Sequence, residues 1–151
     1  MNTSIFPFSA FGYASVIPVV LFVVVVFISV LLIISRISGW RELAEHYPDQ
    51  KLGSSTTKRY FVYARLKRFV NYNGILVLES TSTGLRVRML KLFSLGHPAF
   101  FIPWSDMSFV EAKKGITFRA GIKLVRTNDV AMYVPANVRA WIEGEQKKYG
   151  V

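Results

Sequence analysis

Cysteine is absent from the 151 residues, which excludes disulfides, thiolate metal sites, thiol nucleophiles and lipid attachment through an N-terminal cysteine. Histidine occurs twice, as His46 and His97, with no H-x-x-x-H pair, so the usual spacing of metal ligands is missing. No Walker loop and no GxGxxG occurs, and no cofactor is expected. Charge is missing from the first 35 residues, while the remaining 116 carry all 28 charged side chains. Such a split describes two parts built for two solvents. About 116 residues suffice for one core, so one globular unit is expected beyond the apolar segment.

The apolar segment reads VIPVVLFVVVVFISVLLII from Val16 to Ile34. At about 1.5 Å per residue these nineteen positions reach roughly 28 Å, close to the ~30 Å of a hydrocarbon core. Valine-rich runs suit strands in water, but a lone strand in lipid would leave its backbone unpaired, so a transmembrane helix is expected. Pro18 falls in its first turn, where a missing N–H costs little. A cleaved signal peptide fits less well, because no Lys or Arg precedes the run, the run is too long, and no small-residue cleavage site follows. Arg36, Arg41, Lys51, Lys58 and Arg59 all follow the helix and no basic residue precedes it, which predicts the amino terminus outside and the remainder in the cytoplasm. With no ionisable residue inside the span, it reads as an anchor rather than a channel.

Next, Trp40, Leu43, Ala44 and Tyr47 recur at i, i+3, i+4 and i+7, predicting a short helix with Trp40 and Tyr47 packed on the domain or seated at headgroup level. Pro48 ends it, and DQKLGSSTTK from Asp49 to Lys58 reads as a linker. After Lys58 the pattern changes to β-branched and aromatic runs separated by turns. Strands are expected over Arg59–Val70, Ile75–Ser80, Leu85–Leu92, Ala99–Ile102, Met107–Ala112, Ile116–Arg126 with a break at Gly121, and Val130–Val134. Asn73-Gly74 predicts a two-residue hairpin turn, and further turns fall at Thr83-Gly84, Gly96-His97-Pro98, Lys114-Gly115 and Asn128-Asp129. From Pro135 the pattern becomes that of an amphipathic helix, with Val138, Trp141, Ile142 and Tyr149 near one face.

After the transmembrane helix, about seven antiparallel strands and a closing helix give the element order of the pleckstrin-homology-like (PH-like) superfold. The segments Gly39 to Pro48 (GWxxLAxxYP) and Gly96 to Met107 (GHPxxxIPWSDM) resemble those of a group of small, uncharacterised bacterial single-pass membrane proteins. A second resemblance is to bacterial PH-like domains attached to membrane helices, through an IPW-x-x-I pattern with Met107 in the last position. These resemblances imply a fold and an inner-membrane location, and they carry no activity. The expected divisions are 1–15 outside, 16–35 across the membrane, 36–58 as juxtamembrane helix and linker, and 59–151 as the PH-like domain. Trp40, Tyr47, His97, Pro103 and Trp104 are expected to be structural: Pro103 ends a strand, Ser105 and Asp106 turn, and Trp104 and Met107 return to the core.

The balance of 19 Lys and Arg against 9 Asp and Glu gives a net charge of +10, which favours anionic partners. Between Lys51 and Lys91 nine basic residues face Glu79 alone. Arg86 and Arg88 alternate with Leu85, Val87 and Met89, so both project from one face of their strand. Together with Arg65, Lys67, Arg68 and Lys91 they form a candidate surface for anionic headgroups or a protein partner, or an ordinary solvated face. Nucleic acid would use the same charges with Tyr60, Phe61, Tyr63 and Phe69 as stacking surfaces, but those aromatics are expected in the core. The sequence thus reads as a membrane-anchored, non-enzymatic binding module. The alternative is a small hydrolase that combines His97 with Ser94 or Ser105 and with Asp106, without a nucleophile-elbow motif.

Overall fold

The computed structural model describes residues 10–50, 57–66, 70–111, 120–127 and 130–150. The turns expected at Lys114-Gly115 and Asn128-Asp129, and the side chains of Lys67, Arg68 and Phe69, lie outside them. Helix α1 runs Ala10–Ile37, and its stretch Val16–Ile37 is long and apolar enough to cross a membrane. Because α1 begins six residues before Val16, Pro18 lies inside the helix and removes one ladder hydrogen bond there, instead of sitting in the first turn. Ser29 satisfies its hydroxyl on its own helix, donating to the Val25 carbonyl at 2.8 Å.

Gly39, at φ 74°, takes the left-handed conformation that separates α1 from α2 (Trp40–His46). Seven strands follow: β1 Thr57–Leu66, β2 Val70–Ser80, β3 Gly84–Met89, β4 Phe100–Pro103, β5 Met107–Glu111, β6 Ala120–Leu124 and β7 Val130–Val134. They form one antiparallel sheet in the order β4-β3-β2-β1-β7-β6-β5. β4 and β5 hold opposite edges, yet only the short turn Trp104–Asp106 separates them. That link reaches at most roughly 14 Å, whereas edges of a flat seven-stranded sheet would stand about 29 Å apart. The sheet therefore curls into a half-barrel. Helix α3 (Ala136–Lys148) closes it with Val138 and Ile142 buried, completing the expected PH-like arrangement.

The barrel interior is filled by alternate strand residues, among them Val62, Ala64, Leu66, Leu76, Leu78, Leu85, Val87, Ile102 and Ile122, and by Trp40, Leu43 and Tyr47 of α2. Each buried Val, Leu or Ile among them contributes about 1.5–3 kcal/mol of apolar burial. The 36–58 segment thus supplies core as well as connection. The chain leaving α2 also covers the outer edge of β4, where the Phe101 amide donates to the Tyr47 carbonyl at 3.1 Å and Pro48 bridges to Phe100. An unpaired edge is thereby satisfied.

Three expectations change. Asn73 and Gly74 do not turn the chain, because β2 already begins at Val70, paired with Leu66. They form a bulge opposite Tyr63, where the register jumps between Val62↔Leu76 and Ala64↔Tyr72, and Gly74 at φ 68° supplies the left-handed residue that bulges favour. No break occurs at Gly121, because β6 runs through it from Ala120 to Leu124. The irregularity lies in the partner strand, where Ala131 of β7 is the extra residue between Met132, opposite Ile122, and Val130, opposite Lys123. Tyr60, Phe61 and Tyr63 are exposed rather than core: Phe61 and Tyr63 alternate with the inward Val62, Ala64 and Leu66, and the register shift between Arg59 and Val62 turns Tyr60 outward as well.

Candidate functional site

Two polar clusters organise the molecule, one where α1 meets the half-barrel and one on the outer face of β1–β3. The first begins with serines in the last turns of α1. Ser35 donates from its hydroxyl to the Gly96 carbonyl, and the Ser38 hydroxyl donates to the Ser35 carbonyl at 3.3 Å while accepting from the Trp40 amide at 3.2 Å. Tyr72, from β2, donates its hydroxyl to Ser38 Oγ at 2.8 Å and lies 3.2 Å from His97 Nε2. Trp40 Nε1 donates to the Pro98 carbonyl at 2.7 Å. The Trp40 ring meets Tyr72, His97 and Phe100 with centroids 5.4, 5.2 and 5.1 Å away, the tilted and edge-on geometries that aromatic quadrupoles prefer.

His97 is almost fully buried. Its Nδ1 lies 3.1 Å from the Leu95 carbonyl, which can only accept, so the proton belongs on Nδ1 and the neutral ring leaves Nε2 as acceptor. The Tyr72 hydroxyl then divides one proton between Ser38 and His97. Burial lowers the His97 pKa, only partly opposed by the Leu95 carbonyl, and burial pushes Tyr72 up to about 12 against the smaller effect of its bond to Ser38. Both groups are held neutral.

The hydrolase arrangement is not assembled. The Ser94 hydroxyl donates to the Lys91 carbonyl at 2.7 Å, Ser105 donates to Asp106 at 3.2 Å, and Asp106 receives Arg126 at 3.1 Å. The hydrogen bonds of His97 go to Tyr72 and Leu95 instead. Among the described residues, no group of three or more His, Asp or Glu is placed to hold a metal.

The second cluster surrounds Glu79, whose side chain is 2% exposed. Cross-strand pairing aligns Lys58 with Glu79 and Glu79 with Arg86. Arg86 Nη1 reaches Glu79 Oε2 at 3.0 Å, Arg88 Nε reaches Oε1 at 2.9 Å, and Lys58 Nζ stands 3.6 Å away. Arg86 also clamps Asp49 with two hydrogen bonds of 2.7 and 2.6 Å. Burial pushes the Glu79 carboxyl up, but hydrogen bonds from Arg88 and Arg86 and the nearby positive charges outweigh it and hold the pKa below the ordinary value. Hydrogen bonding to Asp49 and then to Glu79 raises Arg86 against the opposing effect of burial. Strand parity places Arg86 and Arg88 on one face as expected, and on that face they neutralise carboxylates.

Of the other expected basic residues, Arg65 and Lys91 are described, and they lie elsewhere. Arg65 donates to Asn71 at 2.7 Å next to the β1–β2 connection, and Lys91 is exposed at the start of a short turn, Lys91–Phe93, that leads to Gly96. Arg65 and Lys91 therefore stand on the side of the half-barrel that receives α1, as does Arg36 of α1 itself. Trp104 donates to the Thr81 carbonyl at 3.0 Å from a buried position, and Pro103 ends β4. Tyr47 is buried and its hydroxyl accepts the Arg126 amide at 3.0 Å. Sequence reasoning missed Asp49, Ser35, Ser38 and Tyr72. Asp49 is 37 positions from Arg86, and the serines carry no local motif beyond following the apolar run. No family model, curated protein or solved structure matches this chain.

Proposed function

We propose that the chain is a membrane-anchored, non-enzymatic binding module that holds its half-barrel against the cytoplasmic leaflet, with the amino terminus outside and anionic lipid headgroups as its first contact. The observation that carries this reading is the junction. Ser35, Ser38 and Trp40 bind Gly96, Tyr72 and Pro98, so the end of an apolar helix is built into the domain and the same rim carries Arg36, Arg65 and Lys91. Each basic side chain near an anionic surface contributes on the order of 1 kcal/mol, screened by salt. Arg86 and Arg88 take no direct part in this reading, because carboxylates already occupy them.

Relative affinities of spin-labelled anionic and zwitterionic lipids for the full chain in bilayers test the proposal. Preference for the anionic lipid, reduced by Arg65→Glu with Lys91→Glu and unchanged by Arg88→Gln, is the expected result. Equal affinities for the two lipids would overturn it.

A protein partner is the second reading, and β1 favours it. Tyr60, Phe61 and Tyr63 are exposed, and among the described residues β1 pairs with β7 only at Arg65 and Leu66. Phe61 sits at φ 56°, strained for a bulky residue, while presenting its ring outward. Aromatic side chains in such positions are common anchors of protein interfaces. Photo-crosslinking from position 61 in the full chain tests it, with a discrete adduct expected and none formed if the surface is unused.

A further inference from the structure

The turn between β3 and β4 carries apolar side chains that the half-barrel does not bury. Leu92 is 71% exposed and Leu95 is 52% exposed, while Phe93 between them packs partly against the core and meets the Phe27 ring of α1 with centroids 6.3 Å apart. A few residues on, Gly96 lies so close to α1 that a Cβ there would stand 2.7 Å from Leu32 Cδ2, and Ser35 bonds its carbonyl. The points on α1 that the turn touches thus run from Ser35 to Phe27, about 12 Å along the helix axis, with the Phe93 and Phe27 side chains covering part of that distance. Arg36 is the first charge on α1, and these points lead away from it, into the charge-free run. Lys91 is the charged residue at the base of the turn, and its stem is long enough to return an ammonium group to water.

We infer that Leu92, Phe93 and Leu95 form a wedge that enters the acyl region of the same bilayer that α1 crosses, giving the half-barrel a second membrane contact beside its anchor. The inference rests on α1 being membrane-spanning. Exposed leucines flanking a ring that already touches the spanning helix are continuous with its lipid-facing surface, and burying them in acyl chains removes apolar area from water. The wedge fixes the tilt and rotation of the domain on the leaflet, which a single helix would leave free.

The absence of cysteine permits a direct test on the full chain. Single variants Leu92→Cys, Leu95→Cys, Val24→Cys and Lys147→Cys are labelled with an environment-sensitive fluorophore and reconstituted in lipid nanodiscs. Quenching by acyl-chain doxyl lipids is then compared with quenching by aqueous iodide. Lys147 is a water-exposed reference on α3, which is tied by Glu145 to Ser80, the end of β2 remote from the turn. The expected result is blue-shifted emission with loss of iodide quenching at 24, 92 and 95, and full iodide quenching at 147. Lipid quenching at 24 with iodide quenching at 92 and 95 would overturn the wedge and leave the anchor standing. Iodide quenching at 24 would overturn the anchor and the wedge together.

Discussion

The Glu79 cluster and the Ser38–Tyr72–His97 cluster are opposites in what they disclose. The first is rich in charge and resembles a docking surface in the sequence, yet its arginines spend their hydrogen bonds on Glu79 and Asp49. The second contains no formal charge, only serines, a tyrosine, a tryptophan and a neutral histidine, yet it joins the apolar helix to the half-barrel. Charge density alone is therefore a poor guide to where a domain makes contact. A buried carboxylate converts basic residues into structure, whereas small hydroxyls next to an apolar helix let two backbones approach.

Removing Trp40 should separate the two clusters most sharply. Trp40→Ala deletes a fully buried ring with three aromatic neighbours, and a loss of about 3–5 kcal/mol is expected. Thermal unfolding of the full chain in detergent, followed by near-ultraviolet circular dichroism, measures it. Glu79→Ala attacks the other cluster and leaves Lys58, Arg86 and Arg88 facing one another. About 3 kcal/mol is expected, at the low end of the cost of breaking a buried pair, because these basic side chains are partly solvated. The Glu79 pKa is held below its ordinary value, so its stabilisation is complete above about pH 4.5 and is lost as the pH falls through the folded-state value. Glu79→Ala should flatten that acid limb of the stability profile.

Tyr72→Phe is the mildest of the three, costing about 1 kcal/mol for the lost hydroxyl bond to Ser38. It also carries a pH signature. The Tyr72 pKa rises from 10.0 to about 12 on folding, so the unfolded chain binds fewer protons than the folded one in that interval and stability falls as the pH rises from 10 to 12. Replacing Tyr72 removes its share of that alkaline slope and leaves the share of Tyr47, whose pKa burial also raises, while Glu79→Ala leaves both in place. Titration of unfolding free energy in urea between pH 8 and pH 12 separates the two variants.

Much of the architecture was readable from periodicity. The apolar run, the alternation of Leu85, Val87 and Met89 with Arg86 and Arg88, and the helical spacing of Trp40, Leu43 and Tyr47 each report a local repeat that the fold retains. Asn73-Gly74 misled because the left-handed conformation it favours serves a bulge as well as a hairpin turn, and the choice between them depends on how β2 registers on β1. Tyr60, Phe61 and Tyr63 misled because aromatic residues usually mark a core, whereas inward positions here belong to Val62, Ala64 and Leu66. The clusters themselves were hidden by distance along the chain. Glu79 was visible as a lone acid, but its pairing with Arg86 requires the β2–β3 register, and Ser38 meets Tyr72 across 34 positions.

The account stands or falls on α1 and the half-barrel being one rigid unit. Spin labels at Val20→Cys in α1 and Lys147→Cys in α3 of the otherwise cysteine-free full chain, measured by double electron–electron resonance in nanodiscs, test it most directly. A single narrow distance distribution is predicted, broadening when Trp40→Ala is added. A broad distribution in the protein without that substitution would show the half-barrel swinging freely from its helix, and would contradict the junction.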